Sequence, residues 1–276
     1  MVRAIVKVAL PTSILSIEHS LLQKSIRVHQ VARWTSIFGV REVIFFKERS
    51  TSSEEFSEHR YIIEEHWRYF FTPPYLRKLL VPLSPVLRHV GVLPPIRLNI
   101  FDVGQKPREG EERLAYVFKD ENGILKAYVG EVKPYLVKGP CEKTGEIILV
   151  KVVSARERVV ECLDKEVYRG PALSFAESLK KALDVHGKRA NYVVVTDRKG
   201  NIPRIDDVKK MQEKSILVLF GGPKYDLFEL AEQESFNIMD YADFVWNTIP
   251  EQKVVTVRTE EALVITLGIL NVFLAT

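Results

Sequence analysis

Three short stretches place glycine, amide, hydroxyl and guanidinium groups where strands give way to loops. In the first, the apolar run Ser215-Ile216-Leu217-Val218-Leu219-Phe220 ends in Gly221-Gly222-Pro223. Two glycines let main-chain N–H groups come close to a ligand, although a glycine pair after a strand is by itself only a turn signal. In the second, Phe244-Val245-Trp246 runs into Asn247-Thr248-Ile249-Pro250, and a further loop leads to Val257-Arg258-Thr259-Glu260-Glu261-Ala262. A threonine followed by two carboxylates is the pattern of a helix start. Arg258, placed just before it, opposes the favourable dipole sign and so suits an anionic partner. In the third, Arg33 lies a turn and a half before the end of a predicted helix that closes with Phe38-Gly39-Val40. A cation near a helix C-terminus also has a purely structural reason to be there. Neither GxGxxG nor GxxxxGK[ST] occurs at the glycine pair, which excludes the usual dinucleotide and NTPase loops.

Such loops must be carried by neighbouring strands, and the rest of the chain supplies them. An alternating strand over residues 3–10 ends at Pro11. A helix is predicted next, with Ser16 as N-cap and Glu18 in its first turn. Leu21, Ser25, Val28 and Ala32 recur at helical spacing, with Lys24, Arg27 and Arg33 toward the ends and the polar side. Gly39 then closes it as a C′ residue, and Val43-Ile44-Phe45-Phe46 is a buried strand. This is the spacing of a βαβ unit. A second helix is expected over residues 52–71, broken by the proline-rich turn that follows it.

From about Ile96 the pattern becomes short alternating strands. Runs over residues 113–118 and 124–129 flank Asn122-Gly123, the strongest short hairpin signal. Runs over 146–153 and 158–163 add two more strands, giving a small OB-like β-barrel. Helical spacing resumes at Ser174, with Phe175, Leu179 and Leu183 on one face. Asn191-Tyr192-Val193-Val194-Val195 is a strand, Thr196-Asp197-Arg198-Lys199-Gly200 a loop, and residues near 205–211 a short helix. The expected fold class is therefore α/β with a mostly parallel sheet, residues 1–93 and 166–276 forming one discontinuous domain around an inserted barrel, residues 94–165.

The chain has 276 residues, 46% hydrophobic and 28% charged, with a formal net charge of +4. These values are those of a soluble globular protein, and the mild basicity permits a polyanionic partner. Cys141 and Cys162 are far apart in sequence and lack a CxxC or histidine context, so neither a disulfide nor a zinc site is expected and a reducing, cytoplasmic location fits. The N-terminus reads as a strand and not a signal peptide. The apolar run over 262–275 is too short to span a membrane and suits a core or a subunit interface. Arg68, Arg77, Lys78 and Arg88, interleaved with Tyr69, Phe70 and Tyr75, suit phosphate contacts and base stacking, and equally suit a solvated face above core aromatics.

Taken together, the Arg33 helix with Phe38-Gly39-Val40, the strand into Gly221-Gly222-Pro223, and the stretch from Asn247-Thr248-Ile249-Pro250 to Arg258-Thr259-Glu260-Glu261-Ala262 resemble the three motifs of the SPOUT (trefoil-knot) RNA methyltransferases. The chain is most similar to their archaeal and eukaryotic branch with an OB-like insertion. Thr72-Pro73-Pro74-Tyr75-Leu76-Arg77-Lys78 and Gly91-Val92-Leu93-Pro94-Pro95 belong to the same resemblance. Leu98-Asn99-Ile100 stands where many relatives have Pro-His-His, Pro74 replaces a usual glutamine, and Pro223-Lys224 falls where relatives vary.

The resemblance implies an α/β knot in which the chain threads its own loop. It implies bent S-adenosylmethionine held by Thr196, Asp197, Phe220, Gly221, Gly222, Pro223, Asn247, Thr248, Ile249, Pro250, Val255, Val257, Arg258, Thr259 and Ala262, with Ile249, Val254, Val255 and Val257 as apolar walls. Arg33 and Arg258 would hold phosphate or an anionic target, with Glu261 as a base candidate. Arg68, Tyr75, Arg77, Lys78 and Arg88 would contact RNA. No metal is implied, and a homodimer would form through the knot and the C-terminal helix. The alternative is a non-catalytic RNA-binding ribosome-assembly factor that retains the fold.

Overall fold

A computed structural model describes residues 4–275. They form two compact units, one of residues 4–67, Pro85–Pro94 and 170–275, the other of Arg68–Ser84 and Pro95–Arg169.

The first unit is built on a six-stranded sheet with the order β11-β9-β10-β1-β2-β8. The strands are β1 (Ile5–Pro11), β2 (Glu42–Phe46), β8 (Ala172–Ala176), β9 (Tyr192–Asn201), β10 (Ser215–Leu219) and β11 (Phe244–Trp246). Every neighbouring pair is parallel. Val8, Ala9 and Leu10 of β1 are all buried, as are Ile216 to Leu219 of β10, because helices cover both faces of an all-parallel sheet. On one side Ala9, Ile44, Val195, Leu217 and Leu219 pack with Leu179, Leu183, Leu227 and Leu230. The helices are α1 (Leu21–Ile37), α2 (Ser53–Phe71), α4 (Leu179–Ala182), α5 (Ile205–Lys209), α6 (Leu227–Gln233) and α7 (Thr259–Ala275), a short α3 (Arg77–Leu80) belonging to the other unit.

The expected α/β class holds, and the sheet is wholly parallel. Several local expectations are corrected. The first helix is capped by Ser20, whose hydroxyl accepts from Gln23 N while the Gln23 side chain accepts from Ser20 N. That reciprocal box outcompetes Ser16, whose hydroxyl instead donates to Glu55 at 2.6 Å. Gly39, at φ +67°, is the C′ residue as read. Arg27 is buried and not on the polar side: its i+4 neighbour Val31 belongs to the buried stripe. Ser174 and Phe175 lie on β8, and the helix begins only after Ser178, which caps Lys181 N. Residues 196–200 continue β9 instead of forming a loop. A Cβ on Gly200 would lie 2.8 Å from the Val245 and Trp246 main chain, so glycine there marks close strand approach. Arg3, the first residue of the predicted opening strand, lies outside the described residues.

The second unit is a closed barrel of β3 (Glu112–Lys119), β4 (Leu125–Tyr128), β5 (Tyr135–Lys138), β6 (Glu146–Ser154) and β7 (Val159–Cys162), with order β3-β4-β5-β7-β6. β5 and β7 pair in parallel and the other pairs are antiparallel. Its interior is Ala115, Val117, Ala127, Val129, Tyr135, Val137, Val150, Val152 and Val160. β5 is a strand the alternation signal did not single out. The pairing Lys138↔Glu161 carries Cys141 beside Cys162, with Cα atoms 5.7 Å apart and the sulfurs bonded. The expectation of two unbonded thiols is thus overturned. Sequence separation measured nothing here, since barrel closure brings the two cysteines together.

Candidate functional site

The carboxyl ends of β9, β10 and β11 converge on a cavity of about 380 Å³, the position where open parallel sheets hold ligands. β9 contributes Thr196 and Asp197, the loop after β10 contributes Phe220, Gly221, Gly222 and Pro223, and the loop after β11 contributes Asn247, Thr248, Ile249, Val255 and Val257. The first turn of α7 adds Thr259 and Ala262. Pro250 and Arg258 are not part of this lining. Val254 is also outside it and 59% exposed, and Val255 is 91% exposed at the rim, so the expected wall of three valines and one isoleucine reduces to Ile249 and Val257. Residues after Pro250 run over the surface without regular pairing, which leaves these valines in solvent.

The loops are tied to one another and to the strands by hydrogen bonds. Thr259 Oγ1 donates to the Gly221 carbonyl at 2.8 Å, joining the start of α7 to the glycine loop. Thr196 Oγ1 donates to the Leu219 carbonyl at 2.8 Å. The Gly222 N–H donates to the Tyr225 carbonyl at 2.9 Å. Asn247 donates from Nδ2 to Arg198 O at 2.7 Å and accepts from Ile249 N at 3.0 Å, an Asx turn. The Thr248 and Thr266 hydroxyls share a buried hydrogen bond of 2.8 Å. Asp226 and Glu229, which also line the cavity, form the capping box of α6. The Asp-x-x-Glu spacing was a readable signal for them.

Gly222 meets a buried carboxyl. A Cβ at this position would lie 2.0 Å from Glu48 Oε1 and 3.2 Å from Ser13 Oγ. Glu48 is 2% exposed, burial raises its pKa above the ordinary carboxylate value, and its Oε1 and Ser13 Oγ have no hydrogen-bond partner among the described residues. Nothing in the local sequence distinguishes Glu48, since only the folded sheet sets β1, β2 and β10 side by side.

A second cavity, about 700 Å³, lies between α1, α7 and the loop after β11 and shares Ile249 and Val257 with the first. Arg258 and Glu261 line it, together with Glu18, Arg27, Trp34 and Glu260. Arg27 is buried in ion pairs with Glu18 and Glu260, and Arg258 stands 3.6 Å from Glu18 with its own side chain 55% exposed. Glu261 Oε2 accepts from Arg258 N at 2.9 Å, which is the helix-start role its position predicts. Arg33 is on the exposed side of α1 and lines neither cavity.

The expected RNA contacts divide between the units, Arg88 in the first and the others in the second. Arg68, Lys78 and Arg88 are exposed. Tyr75 is packed: its hydroxyl donates to Leu114 O at 2.9 Å, the Arg113 guanidinium lies 4.6 Å from its ring centre, and its ring abuts Gly130. Arg77 stacks on Tyr69 at 4.4 Å and donates to Thr72 O at 3.1 Å. These two side chains therefore hold the second unit together. Among the described residues, no helix is long and apolar enough to cross a membrane and no group of three metal-binding side chains occurs.

Similar proteins narrow the field. An uncharacterised protein of Halobacterium salinarum is 26% identical over 96% of this chain and 98% of its own length. A Drosophila melanogaster protein named 28S rRNA (uridine-N(3))-methyltransferase is also 26% identical over 96% of the chain, which spans 61% of that longer protein. The sequence signature of the family described as "Putative RNA methyltransferase" matches residues 5–270, almost all of both units, and the chain belongs to that family.

Proposed function

We propose that the protein is an S-adenosylmethionine-dependent methyltransferase acting on ribosomal RNA at a base nitrogen. The observation that carries this is the 380 Å³ cavity, in which three loops far apart in sequence meet at the carboxyl ends of adjacent parallel strands. The residues suit the methyl donor. Phe220, Ile249, Val257 and Ala262 offer apolar surface to an adenine and methylene chain, and Asp197, Asp226 and Glu229 on one hand and Arg198 and Lys224 on the other suit a ligand carrying both charges. When bound, S-adenosylmethionine supplies an electrophilic methyl group on a sulfonium.

The chain's own residues then act by positioning. The Thr259–Gly221 and Thr196–Leu219 bonds fix the donor loops. Arg258, in the adjoining cavity, holds phosphate or the anionic form of the target base, since a nearby cation favours the deprotonated form. Arg33 serves the same substrate from the exposed side of α1. Glu261 is committed to the helix start, which leaves it a poor base. Arg68, Lys78 and Arg88 contact phosphates, and the barrel grips RNA. The knot, a homodimer through α7 and a cytoplasmic location belong to the same reading. The Drosophila relative's name supports ribosomal RNA and a pyrimidine N3 as target.

The test is transfer of labelled methyl to RNA from cells lacking the protein, with the modified nucleotide mapped by mass spectrometry. Wild type should bind S-adenosylmethionine and restore one methylated uridine. Arg33→Ala and Arg258→Ala should keep donor binding and lose transfer by roughly 10²-fold. Absent donor binding, with RNA binding intact, would point to the non-catalytic assembly factor instead.

A further inference from the structure

We infer that the outward face of β3 and β4 is a stacking platform for unpaired RNA bases. The alternation of the barrel strands decides which side chains lie there. Ala115 and Val117 of β3 and Ala127 of β4 point into the barrel core, so Tyr116, Phe118, Lys126 and Tyr128 face outward. Tyr116 pairs directly with Tyr128, and Phe118 with Lys126.

The three rings form one parallel, offset-stacked set whose outer faces are the ones left for a further ring. Tyr116 and Phe118 lie 6.1 Å apart with their planes 17° apart, and Phe118 and Tyr128 lie 5.0 Å apart at 12°. All three are only part-buried. Neither tyrosine hydroxyl makes a hydrogen bond among the described residues, so nothing polar anchors these rings to the fold. Tyr75 and Tyr135 show the contrast, the first bonded to Leu114 O and the second part of the barrel core. Around the rings the face continues with Leu136 and Lys138 of β5. Lys126, the register partner of Phe118, pairs with Asp120 at 2.7 Å at the strand end.

Part-exposed aromatic side chains take successive unstacked bases regardless of sequence, because every base has a π-face. A duplex keeps its bases stacked inside and offers such a face little. The site therefore selects single-stranded or looped RNA. A cross-strand aromatic cluster can also serve the sheet alone, and the variants below separate the two roles. The inference rests on the RNA-substrate reading above, though not on methyl transfer.

The experiment uses the full chain and a dye-labelled single-stranded RNA of mixed sequence, read by fluorescence anisotropy with a blunt RNA duplex as comparison. Phe118→Leu and Tyr128→Leu keep apolar area on the sheet but lose the π-face. Each should weaken single-strand binding by roughly 5- to 150-fold, leaving duplex binding and S-adenosylmethionine titration unchanged. Single-strand binding within about twofold of wild type in folded variants would overturn the platform. Photo-crosslinking of wild type to 4-thiouridine RNA covers the case in which a variant fails to fold. Cross-links within residues 116–128 support the site, and cross-links found only outside the barrel refute it. If the leucine variants bind RNA like wild type while methyl transfer is detected, only the platform fails. If they lose RNA while no donor binds, only the methyltransferase reading fails.

Discussion

Replacing Gly222 by alanine tests how tightly the glycine loop is fitted to the sheet beneath it. The new Cβ would start 2.0 Å from Glu48 Oε1, and an ordinary carbon–oxygen contact is about 3.3 Å or more, so the carboxyl or the loop must move by over about 1 Å. Glu48 has little room to yield, since it is 2% exposed. Overpacking of this size costs about 1–3 kcal/mol, or a fall in the unfolding midpoint of about 2–4 °C per kcal/mol. If the loop moves instead, donor affinity drops, because Gly222 lines the cavity. The assay is a double-mutant cycle in denaturant, with donor titration on each variant. Glu48→Ala removes the obstructing oxygen, so Gly222→Ala should cost at least about 1 kcal/mol less in that background. Equal costs in both backgrounds would refute the steric account and leave only a backbone effect.

Two further outcomes follow from the charges and the disulfide. Glu42 is held at about 2, chiefly by its hydrogen bond with His186 and further by Lys7 and Ser174, against the opposing effect of burial. A carboxylate lowered in the fold contributes stability above its ordinary 4.5 and loses it as pH falls toward 2. Glu42→Gln should therefore lose up to about 3 kcal/mol at pH 7 and match wild type near pH 2, and a pH-independent difference in chemical denaturation would contradict this. Reducing the Cys141–Cys162 bond opens a loop with a sequence separation of 21 and should cost the barrel unit about 3 kcal/mol. A thermal scan unchanged by reductant, or by Cys141→Ser with Cys162→Ser, would show that the bond adds nothing.

What the sequence revealed and what it hid divide along physical lines. Periodicity and turn chemistry act over a few residues, so β1, β2, β10, the Asn122-Gly123 hairpin and Gly39 at the end of α1 were all readable. So was the grouping of Gly221, Asn247 and Thr259, because strand ends in a parallel sheet share one edge. One misread element turned on a competing short-range partner, Ser20 with Gln23 over Ser16, whereas Ser174 and residues 196–200 were claimed by strand pairing with distant partners. Long-range neighbours left no local trace. Glu48 against Gly222, Arg27 between Glu18 and Glu260, and Cys141 beside Cys162 exist only once remote strands and helices are side by side.

The central position of β1 has a consequence for how the molecule is made. Its register Ile5↔Ser215 joins the first strand to one near the end of the chain, and β2 waits for β8 through Glu42↔Ala172. Every barrel pairing, by contrast, closes within residues 112–162. During synthesis from the N-terminus the barrel's partners are thus all present while β1 still has an empty flank, and pairings so distant in sequence form slowly. The 380 Å³ cavity completes last, because its final wall is the first turn of α7, so a ribosome-bound chain holds its barrel strands long before it can close that cavity.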